Sequence, residues 1–299
     1  MDESKIMKKR KYLNKSFKYL IPIKNKKLIR CGSKCDGGYV VDRNVANNCK
    51  NLVSLGVGDN WSFEYEFIKK NKNIKIYAYD YSLRHFDYLK NILKYFRRFI
   101  TFRSSYNSLK IALDNYRNFQ NFINCKNINF YKEKITYPVR NKSENDIHGV
   151  FSRINIDEDI VFKIDIEGFE YNIINQIKKY SNKIELLVIE FHQIDKKKKK
   201  FEKYIKELNK KFSIIHLHGN NFTSTTNDFL PITLEITFLN KKYIIQKKNR
   251  KVYNFPIKGL DSPNNFAEKD LNLCYYSGRL FIVCLIDLVD LLGLNCEFI

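Results

Sequence analysis

Apolar runs alternate with amphipathic stretches through the middle of the chain. Strand-like runs occur at NLVSLGV (51–57), IKIYAYD (74–80), INFYKEKI (128–135), VFKIDI (161–166) and IELLVIEFH (184–192). Continuous apolar runs of this length, separated by helical patterns, are typical of parallel strands that are buried on both faces. The pattern therefore predicts an α/β fold in which helices cover both faces of a largely parallel sheet.

Helical patterns lie between these runs, and two further strands follow them. Helices are predicted at WSFEYEFIKKN (61–71), from Leu83 to about Arg98, near 107–123, at FEYNIINQIKKY (169–180) and at DKKKKKFEKYIKELNKKF (195–212). The lysines of the last helix are expected to form its solvated start and outer face. A long loop without a helical pattern joins FSIIHLHG (212–219) to TLEITFLN (233–240), so we expect a terminal antiparallel hairpin.

Composition and charge narrow the class of protein. Of the 299 residues, 44% are hydrophobic and 15% aromatic, which suffices for a packed core and excludes a disordered chain. The formal net charge of +22 favours nucleic acid or an anionic surface as partner. Lys, Asn, Ile, Tyr and Phe are abundant together, as in proteins from AT-rich genomes, so a solvated lysine surface is the competing interpretation. The seven cysteines form no CxxC pair, which predicts reduced thiols and a cytoplasmic protein.

Neither end of the sequence carries a membrane or export signal. The stretch MDESKIMKKRKYLNKSFKYL (1–20) lacks the apolar core of a signal peptide. The run LFIVCLIDLVDLLGL (280–294) is short for a transmembrane span and contains Asp287 and Asp290. We expect no transmembrane span, and a packed terminal helix at 280–294.

Glycines and acids follow the first two predicted strands. The first strand ends in LGVGDN (55–60), where Gly56 and Gly58 permit a tight turn and a close approach to a ligand. Asp80 ends the second strand, roughly 20 residues later, where an acid can hydrogen-bond ribose hydroxyls. An adenosine-type cofactor is therefore predicted at the carboxyl ends of these strands.

The next two residues of the loop favour one kind of adenosine cofactor. Asn60 replaces the third glycine of the GxGxxG motif, which disfavours a dinucleotide. Asp59 would repel phosphates and would suit a cationic amine or sulfonium. The loop therefore favours S-adenosylmethionine.

Several blocks of the chain resemble, in order, those of FkbM-like class I methyltransferases. The blocks are SLGVGDNWSFE, AYDYS, KIDIEGFEY, LLVIEFH, IHLHGNN and LEITF, and RCGSKCDGGYVVD (30–42) is similar to the segment before the first strand of that family. The sequence departs from the pattern at Ser54, where many class I enzymes carry an acid, and at Asn60.

The resemblance implies a fold, a domain plan and a cofactor. It implies a Rossmann-like class I methyltransferase domain over residues 28–265, with a basic extension at 1–27 and a hydrophobic tail of unknown role at 266–299. It also implies a transferase that uses S-adenosylmethionine, bound by Gly56, Gly58, Asp59, Asn60, Asp80 and Tyr81.

Acids at the ends of the fourth and fifth strands are the candidate catalytic groups. Asp165 ends one strand, and Glu190 and His192 share a face at the end of the next. Neighbouring parallel strands lie about 4.8 Å apart, so these side chains can converge on one crevice. Glu167 and Glu170 have an alternative role, because acids also stabilise the N-terminus of the helix that follows.

Methylation of a hydroxyl needs a group that removes its proton. A neutral histidine can serve, and His192 and His218 are the candidates, with His216 a weaker one. A divalent metal can instead lower the pKa of the hydroxyl. Asp165, Glu190 and His192 resemble the ligand layout of metal-dependent class I O-methyltransferases, so a Mg²⁺ site is a second hypothesis.

The predicted acceptor is a hydroxyl of a sugar, glycan or other small metabolite, as the resemblance implies. The main alternative is the ribose 2′-hydroxyl of RNA, for which Asp165, Lys178 or Lys179, and Glu190 occur in the required order. Methylation of bases is disfavoured, because the chain has neither a [DN]PPY motif nor a Pro-Cys pair. A non-catalytic cofactor-binding module is the other alternative, and no oligomeric state is predicted.

Overall fold

The computed structural model describes residues 12–13, 15–154, 158–244, 251–252 and 254–275. The strands are β1 (Tyr12–Leu13), β2 (Leu28–Cys31), β3 (Tyr39–Asp42), β4 (Asn51–Leu55), β5 (Lys75–Tyr79), β6 (Ile128–Tyr131), β7 (Lys134–Ile135), β8 (Glu144–Asn145), β9 (Ile160–Ile164), β10 (Ile184–Phe191), β11 (Phe212–Gly219), β12 (Leu234–Asn240), β13 (Asn254–Phe255) and β14 (Leu273–Tyr275). The α-helices are α1 (Arg43–Asn48), α2 (Ser62–Lys70), α3 (His85–Ile100), α4 (Tyr106–Ile123), α5 (Ile147–Phe151), α6 (Glu170–Ile177) and α7 (Ile194–Leu208), and 3₁₀ turns occupy Lys15–Leu20, Lys178–Tyr180 and Lys241–Tyr243. The run 280–294 lies outside the described residues, and the predicted domain limits stay a prediction.

One large sheet organises the described part of the chain. Its seven strands follow the order β6–β5–β4–β9–β10–β12–β11 among the residues described. The first five are parallel, whereas β12 is antiparallel to both β10 and β11. This confirms the predicted fold class, a Rossmann-like class I methyltransferase sheet with a terminal antiparallel hairpin. The insertion of β12 between β10 and β11 was not predicted.

Both faces of the sheet are buried under helices. Alternate residues of one strand enter different clusters: Val53 and Leu55 pack in the cluster that includes α5, α6 and α7. Leu52 packs in the cluster that includes α1, α2 and α4. Because successive strand side chains point to opposite faces, this division shows that helices cover both sides.

A hairpin before the first sheet strand was not predicted as such. Strands β2 and β3 pair antiparallel, and Asp42 caps α1 by accepting hydrogen bonds from the backbone N–H groups of Asn44 and Val45. The Thr237 hydroxyl of β12 donates a 2.6 Å hydrogen bond to the Val40 carbonyl and so fixes β3 to the large sheet. The buried Tyr39, at the start of β3, is thereby held against the middle of the sheet.

The lysine-rich start of α7 is only partly solvated. Lys197 is half-buried, and its ammonium group donates a 2.8 Å hydrogen bond to the Gly168 carbonyl and lies 4.9 Å from the centre of the Tyr171 ring. Lys198 pairs with Asp228. The expectation of a solvated run is therefore wrong for these two lysines, because they tie α7 to neighbouring loops.

The segment 254–275 packs against the last sheet strands through buried contacts between histidines and carboxylates. His216 lies 3.0 Å from Asp261. His218 is 1% exposed and donates to Glu235 at 3.3 Å and to Asp270 at 3.1 Å. Burial alone lowers the pKa of His218, but these two carboxylates raise it from 6.5 to about 10. No helix among the described residues is both long enough and apolar enough to cross a membrane.

The raised pKa of His218 makes its contribution to stability depend on pH. A group whose pKa is higher in the folded state stabilises the fold fully below its unfolded pKa of 6.5 and loses this effect as the pH rises to about 10. The free energy of unfolding of the wild type, minus that of His218→Gln, should fall by roughly 1.4 kcal/mol per pH unit in this window. Urea unfolding at several pH values measures it. A difference that stays constant or grows with pH would contradict the pairing.

Candidate active site

The turn after β4 brings two strand ends into direct contact. Gly56 has a φ of +74°, and a Cβ atom at this position would lie 1.5 Å from the Asp165 carbonyl oxygen. The Gly56 N–H donates to the Tyr79 carbonyl at 2.9 Å, and the Asp165 N–H donates to the Leu55 carbonyl at 2.9 Å. Only glycine permits this approach, so Gly56 fixes Asp165 beside the loop.

The second glycine of the loop faces open space. Gly58 has a φ of +60°, and a Cβ atom there would meet no atom within 4 Å. Its N–H donates a 2.8 Å hydrogen bond to Oδ2 of Asp80. Oδ1 of Asp80 accepts from both the N–H and the hydroxyl of Ser82 and from the N–H of Leu83. Asp80 therefore joins two loops, and Oδ2, which accepts the Gly58 N–H, has capacity for a second hydrogen bond.

A cleft of about 330 Å³ lies at the carboxyl ends of β4, β5 and β9. All six predicted cofactor residues line it: Gly56, Gly58, Asp59, Asn60, Asp80 and Tyr81. Asn60 also donates to the Asp36 carbonyl at 2.7 Å, which holds the loop before β3 at the rim. The acidic side chains that line the cleft are Asp36, Asp59, Asp80, Glu133, Asp165 and Glu167, against two lysines, Lys134 and Lys163. The cleft is thus acidic within a chain of net charge +22.

Behind the cleft, Asp165 belongs to a connected polar cluster. The Tyr39 hydroxyl lies 2.8 Å from Oδ2 of Asp165 and 3.1 Å from Oε2 of Glu190, and so bridges them. Asn220 donates to the other oxygen of Glu190 at 2.8 Å. Nε2 of His192 lies 3.9 Å from Asp165 and 4.0 Å from Glu190. The structure therefore brings together the three side chains that the sequence predicted at adjacent strand ends.

The two acids after Asp165 differ in their contacts. Glu170 is fully buried in the first turn of α6, where it accepts from the Gly168 N–H at 2.9 Å and from Nδ1 of His192 at 2.9 Å. Glu167 has a φ of +53° and is exposed, with a carboxylate oxygen 3.5 Å from Nε2 of His192. Both acids contact His192, so stabilising a helix terminus is not their only interaction.

The carboxylates determine the charge of His192. Burial alone lowers its pKa, but the hydrogen bond to Glu170 and the surrounding acids raise it from 6.5 to about 10. Burial raises the pKa of Glu190 well above its usual range, and the charges of Asp165 and Glu235 add to this effect. Burial likewise raises the pKa of Tyr39. At neutral pH His192 is therefore an imidazolium within an acidic cluster.

Two further side chains that contact Asp165 were not identified from the sequence. Lys163 is buried, donates a 2.9 Å hydrogen bond to the Gly56 carbonyl and lies 3.7 Å from Oδ2 of Asp165. Its signal was a lysine inside an apolar strand, two residues before Asp165. Tyr39 follows a Gly-Gly pair but carries no comparable signal. The Ser54 hydroxyl donates a 2.5 Å hydrogen bond to the buried carboxylate of Glu64, in α2. An acid is therefore present beside Ser54, the position at which many class I enzymes carry an acid themselves.

No predicted histidine lines the cleft itself, but His192 lies 3.9 Å from Asp165, which does. Both ring nitrogens of His218 contact carboxylates that do not line the cleft. Asn220, two residues after His218, donates to Glu190. His216 is paired with Asp261. These contacts give His218 an evident structural role, and its catalytic role stays a prediction.

Comparisons with known proteins leave the family open. The sequence matches no protein-family model and shows no significant similarity to a curated protein. Solved structures that are similar include a Methanococcus jannaschii fibrillarin pre-rRNA processing protein, with 12% identity, a TM-score of 0.36 and coverage of 66% of this chain and 68% of that chain. Another is a precorrin-6y C5,15-methyltransferase from Geobacter metallireducens, with 11% identity, a TM-score of 0.33 and coverage of 70% and 95%. Similarity at this level does not assign an activity, and the FkbM resemblance stays a prediction.

The two loop glycines should respond differently to substitution. Gly56→Ala should lower the free energy of unfolding by more than about 3 kcal/mol, because the added carbon overlaps backbone that cannot shift. Gly58→Ala meets only the strain of a positive φ, about 1–2 kcal/mol. Urea unfolding of both variants measures the difference, and equal losses would refute the contact between Gly56 and Asp165.

Proposed function

We propose that this protein is an S-adenosylmethionine-dependent methyltransferase that methylates a hydroxyl of a sugar, glycan or other small metabolite. The observation that carries the proposal is an acidic cleft at the carboxyl ends of a parallel sheet, in a chain of net charge +22. An acidic cleft attracts a ligand with positive groups and repels phosphates. A sulfonium with an amino group fits this requirement, whereas a dinucleotide does not.

The cleft fits the cofactor at three positions. Open space beside Gly58 lets the backbone approach a ligand, and the free acceptor position of Asp80 suits a ribose hydroxyl. Asp59 and Asp165 lie where they can stabilise the cofactor's positive groups. When bound, S-adenosylmethionine supplies an electrophilic methyl group, and the protein must then remove a proton from the acceptor hydroxyl.

His192 is the proposed acceptor of that proton. As an imidazolium it cannot accept a proton, so it must first lose its own. The pKa of His192 falls when a further positive charge enters the cleft, because like charges disfavour the imidazolium. Asp165 and Glu170 orient the ring through their contacts with its two nitrogens. The base therefore becomes available once the cleft is filled.

The RNA alternative has less support. Lys178 is paired with Glu207, and neither Lys178 nor Lys179 lines the cleft. The acidic lining would also repel a phosphate backbone. Incubating the protein with labelled S-adenosylmethionine and with glycans, nucleosides or RNA tests the proposal. Label in a hydroxyl-bearing small acceptor supports it, label only in RNA contradicts it, and binding without transfer favours the non-catalytic alternative.

A Mg²⁺ site is the competing way to activate the hydroxyl. One possible ligand atom from each of Asp165, Glu190 and His192 lies within 4.8 Å of the others. The Tyr39 hydroxyl already bridges the two acids, however, and His192 holds a proton at neutral pH. Metal binding would have to displace both the bridge and the proton, so the described arrangement favours His192 as the base.

Binding of the cofactor should depend on the space beside Gly58. Gly58→Val fills that space and should weaken the binding of S-adenosylmethionine, measured by calorimetry, by about 1–3 kcal/mol, or roughly 5-fold to 150-fold. Gly259→Val is the matched control, since Gly259 has a φ of +79° and open surroundings but lies outside the cleft. Equal affinity in both folded variants would refute this cofactor position.

The pKa of His192 should depend on the negative charge of Glu170. His192→Gln should reduce turnover by about 10²–10⁴ while cofactor binding persists. Because the active base is deprotonated, kcat/KM should rise with pH towards the free-enzyme pKa of about 10. Glu170→Gln should lower the pH at which kcat/KM rises by roughly 1–3 units. The midpoint of the NMR titration of the His192 ring should fall by the same amount.

Two results would overturn this assignment. An unshifted titration in Glu170→Gln would show that Glu170 does not control the ring. Loss of activity with a chelator, and its recovery with Mg²⁺, would assign proton removal to the metal mechanism instead.

A further inference from the structure

Helix α3 carries a stripe of exposed apolar side chains. None of the 16 residues of α3 is buried. Phe86, Leu89, Leu93, Phe96 and Ile100, hereafter the α3 stripe, are between 40% and 62% exposed. Their spacing alternates between three and four residues, which places them in one line along the helix. No described residue covers this line, and a continuous apolar surface of this kind marks a site of interaction.

The stripe ends at a phenylalanine in an unfavourable position. Phe102 is 97% exposed and has a φ of +54°. The Phe102 N–H donates to the Phe99 carbonyl at 3.0 Å, and the Arg103 N–H donates to the Arg98 carbonyl at 2.7 Å. This pair of bonds is the Schellman helix end, whose left-handed residue is usually glycine. A fully exposed phenylalanine here strains the backbone without stabilising the fold, which indicates that the ring has an external partner.

Positive charge accompanies the apolar surface. Lys90 and Arg97 lie beside the α3 stripe, where the Lys90 ammonium group is 4.6 Å from the centre of the Phe86 ring, and Arg98 and Arg103 are close to Phe102 in sequence. The only acid of α3, Asp87, lines a cavity on the other side of the helix. The partner must therefore accept apolar side chains and carry negative charge.

These requirements distinguish among the possible partners. A second copy of the chain would place rows of lysine and arginine near each other with no acid to balance them. RNA would match the charge but would not require an exposed stripe of phenylalanine and leucine. An amphipathic helix with apolar side chains on one face and basic residues at its margin is typical of binding in the plane of an anionic lipid surface.

We propose that the α3 stripe and Phe102 insert into the headgroup region of an anionic membrane, with the flanking lysines and arginines against its lipid phosphates and carboxylates. The proposal is independent of the cofactor assignment, because it concerns a surface outside the acidic cleft. Membrane binding can therefore be measured without cofactor or acceptor.

Sedimentation of the full chain with vesicles tests the proposal. The protein should bind vesicles of phosphatidylcholine with phosphatidylserine and bind phosphatidylcholine alone much more weakly. Phe102→Gly should weaken binding about tenfold or more, because a buried ring is lost. The same variant should keep or raise the melting temperature, because glycine suits the left-handed position. Phe266→Gly, which removes another exposed ring, is the matched control and should leave binding unchanged.

A second pair of variants tests the charges. Lys90→Gln combined with Arg97→Gln should weaken binding to phosphatidylserine vesicles by about fivefold for each charge removed. Lys196→Gln combined with Lys199→Gln, on the exposed side of α7, removes equal charge elsewhere and should have a much smaller effect.

Four outcomes would overturn the proposal. No preference for phosphatidylserine would remove the charge argument. Unchanged binding by Phe102→Gly would show that the interaction is electrostatic adsorption only. Equal losses of binding in the two double variants would show that binding does not depend on α3. A dimer in solution that Leu93→Glu dissociates would show that the α3 stripe is an interface between copies of the chain.

Discussion

The contact between the backbones at Gly56 and Asp165 determines the geometry of the site. Because no Cβ atom fits between them, the loop after β4 lies directly against the end of β9. The loop's open side then faces the cleft at Gly58, while Asp165 faces it from the neighbouring strand. Lys163 reinforces the contact by donating to the Gly56 carbonyl. The glycine loop and the candidate site at Asp165 are thus positioned by one close approach of two chain segments.

Buried charge is tolerated at this position because it is shared among neighbours. Asp165 lies within reach of Lys163 on one side and of the Tyr39 hydroxyl on the other. Tyr39 also connects Asp165 to Glu190, whose carboxyl group is shielded from solvent and holds its proton more tightly for that reason. An isolated carboxylate in such surroundings would cost several kcal/mol. The network keeps the acids at the cleft while leaving the negative charge of Asp165 available to a ligand.

The sequence predicted much of this arrangement because strand ends have a simple signature. A buried strand that stops at an acid, as at Asp80 and Asp165, identifies the carboxyl edge of a parallel sheet. Tyr39 could not be found in this way, since it comes from a separate hairpin that reaches the sheet through a long-range contact. His218 has a structural role that the sequence did not predict. Its place at a strand end suggested chemistry, but its partner Asp270 lies 52 residues away and makes it part of a buried ion pair.

Helix α3 separates a polar cavity from an exposed apolar surface. Its polar side, including Asp87 and Asn91, lines a cavity of about 570 Å³ that shares Gly58 and Asp59 with the cleft. The side that faces away from this cavity carries the α3 stripe, with Lys90 and Arg97 beside it. Helical periodicity allows one helix to face two environments of opposite character, because residues seven apart stay on one side.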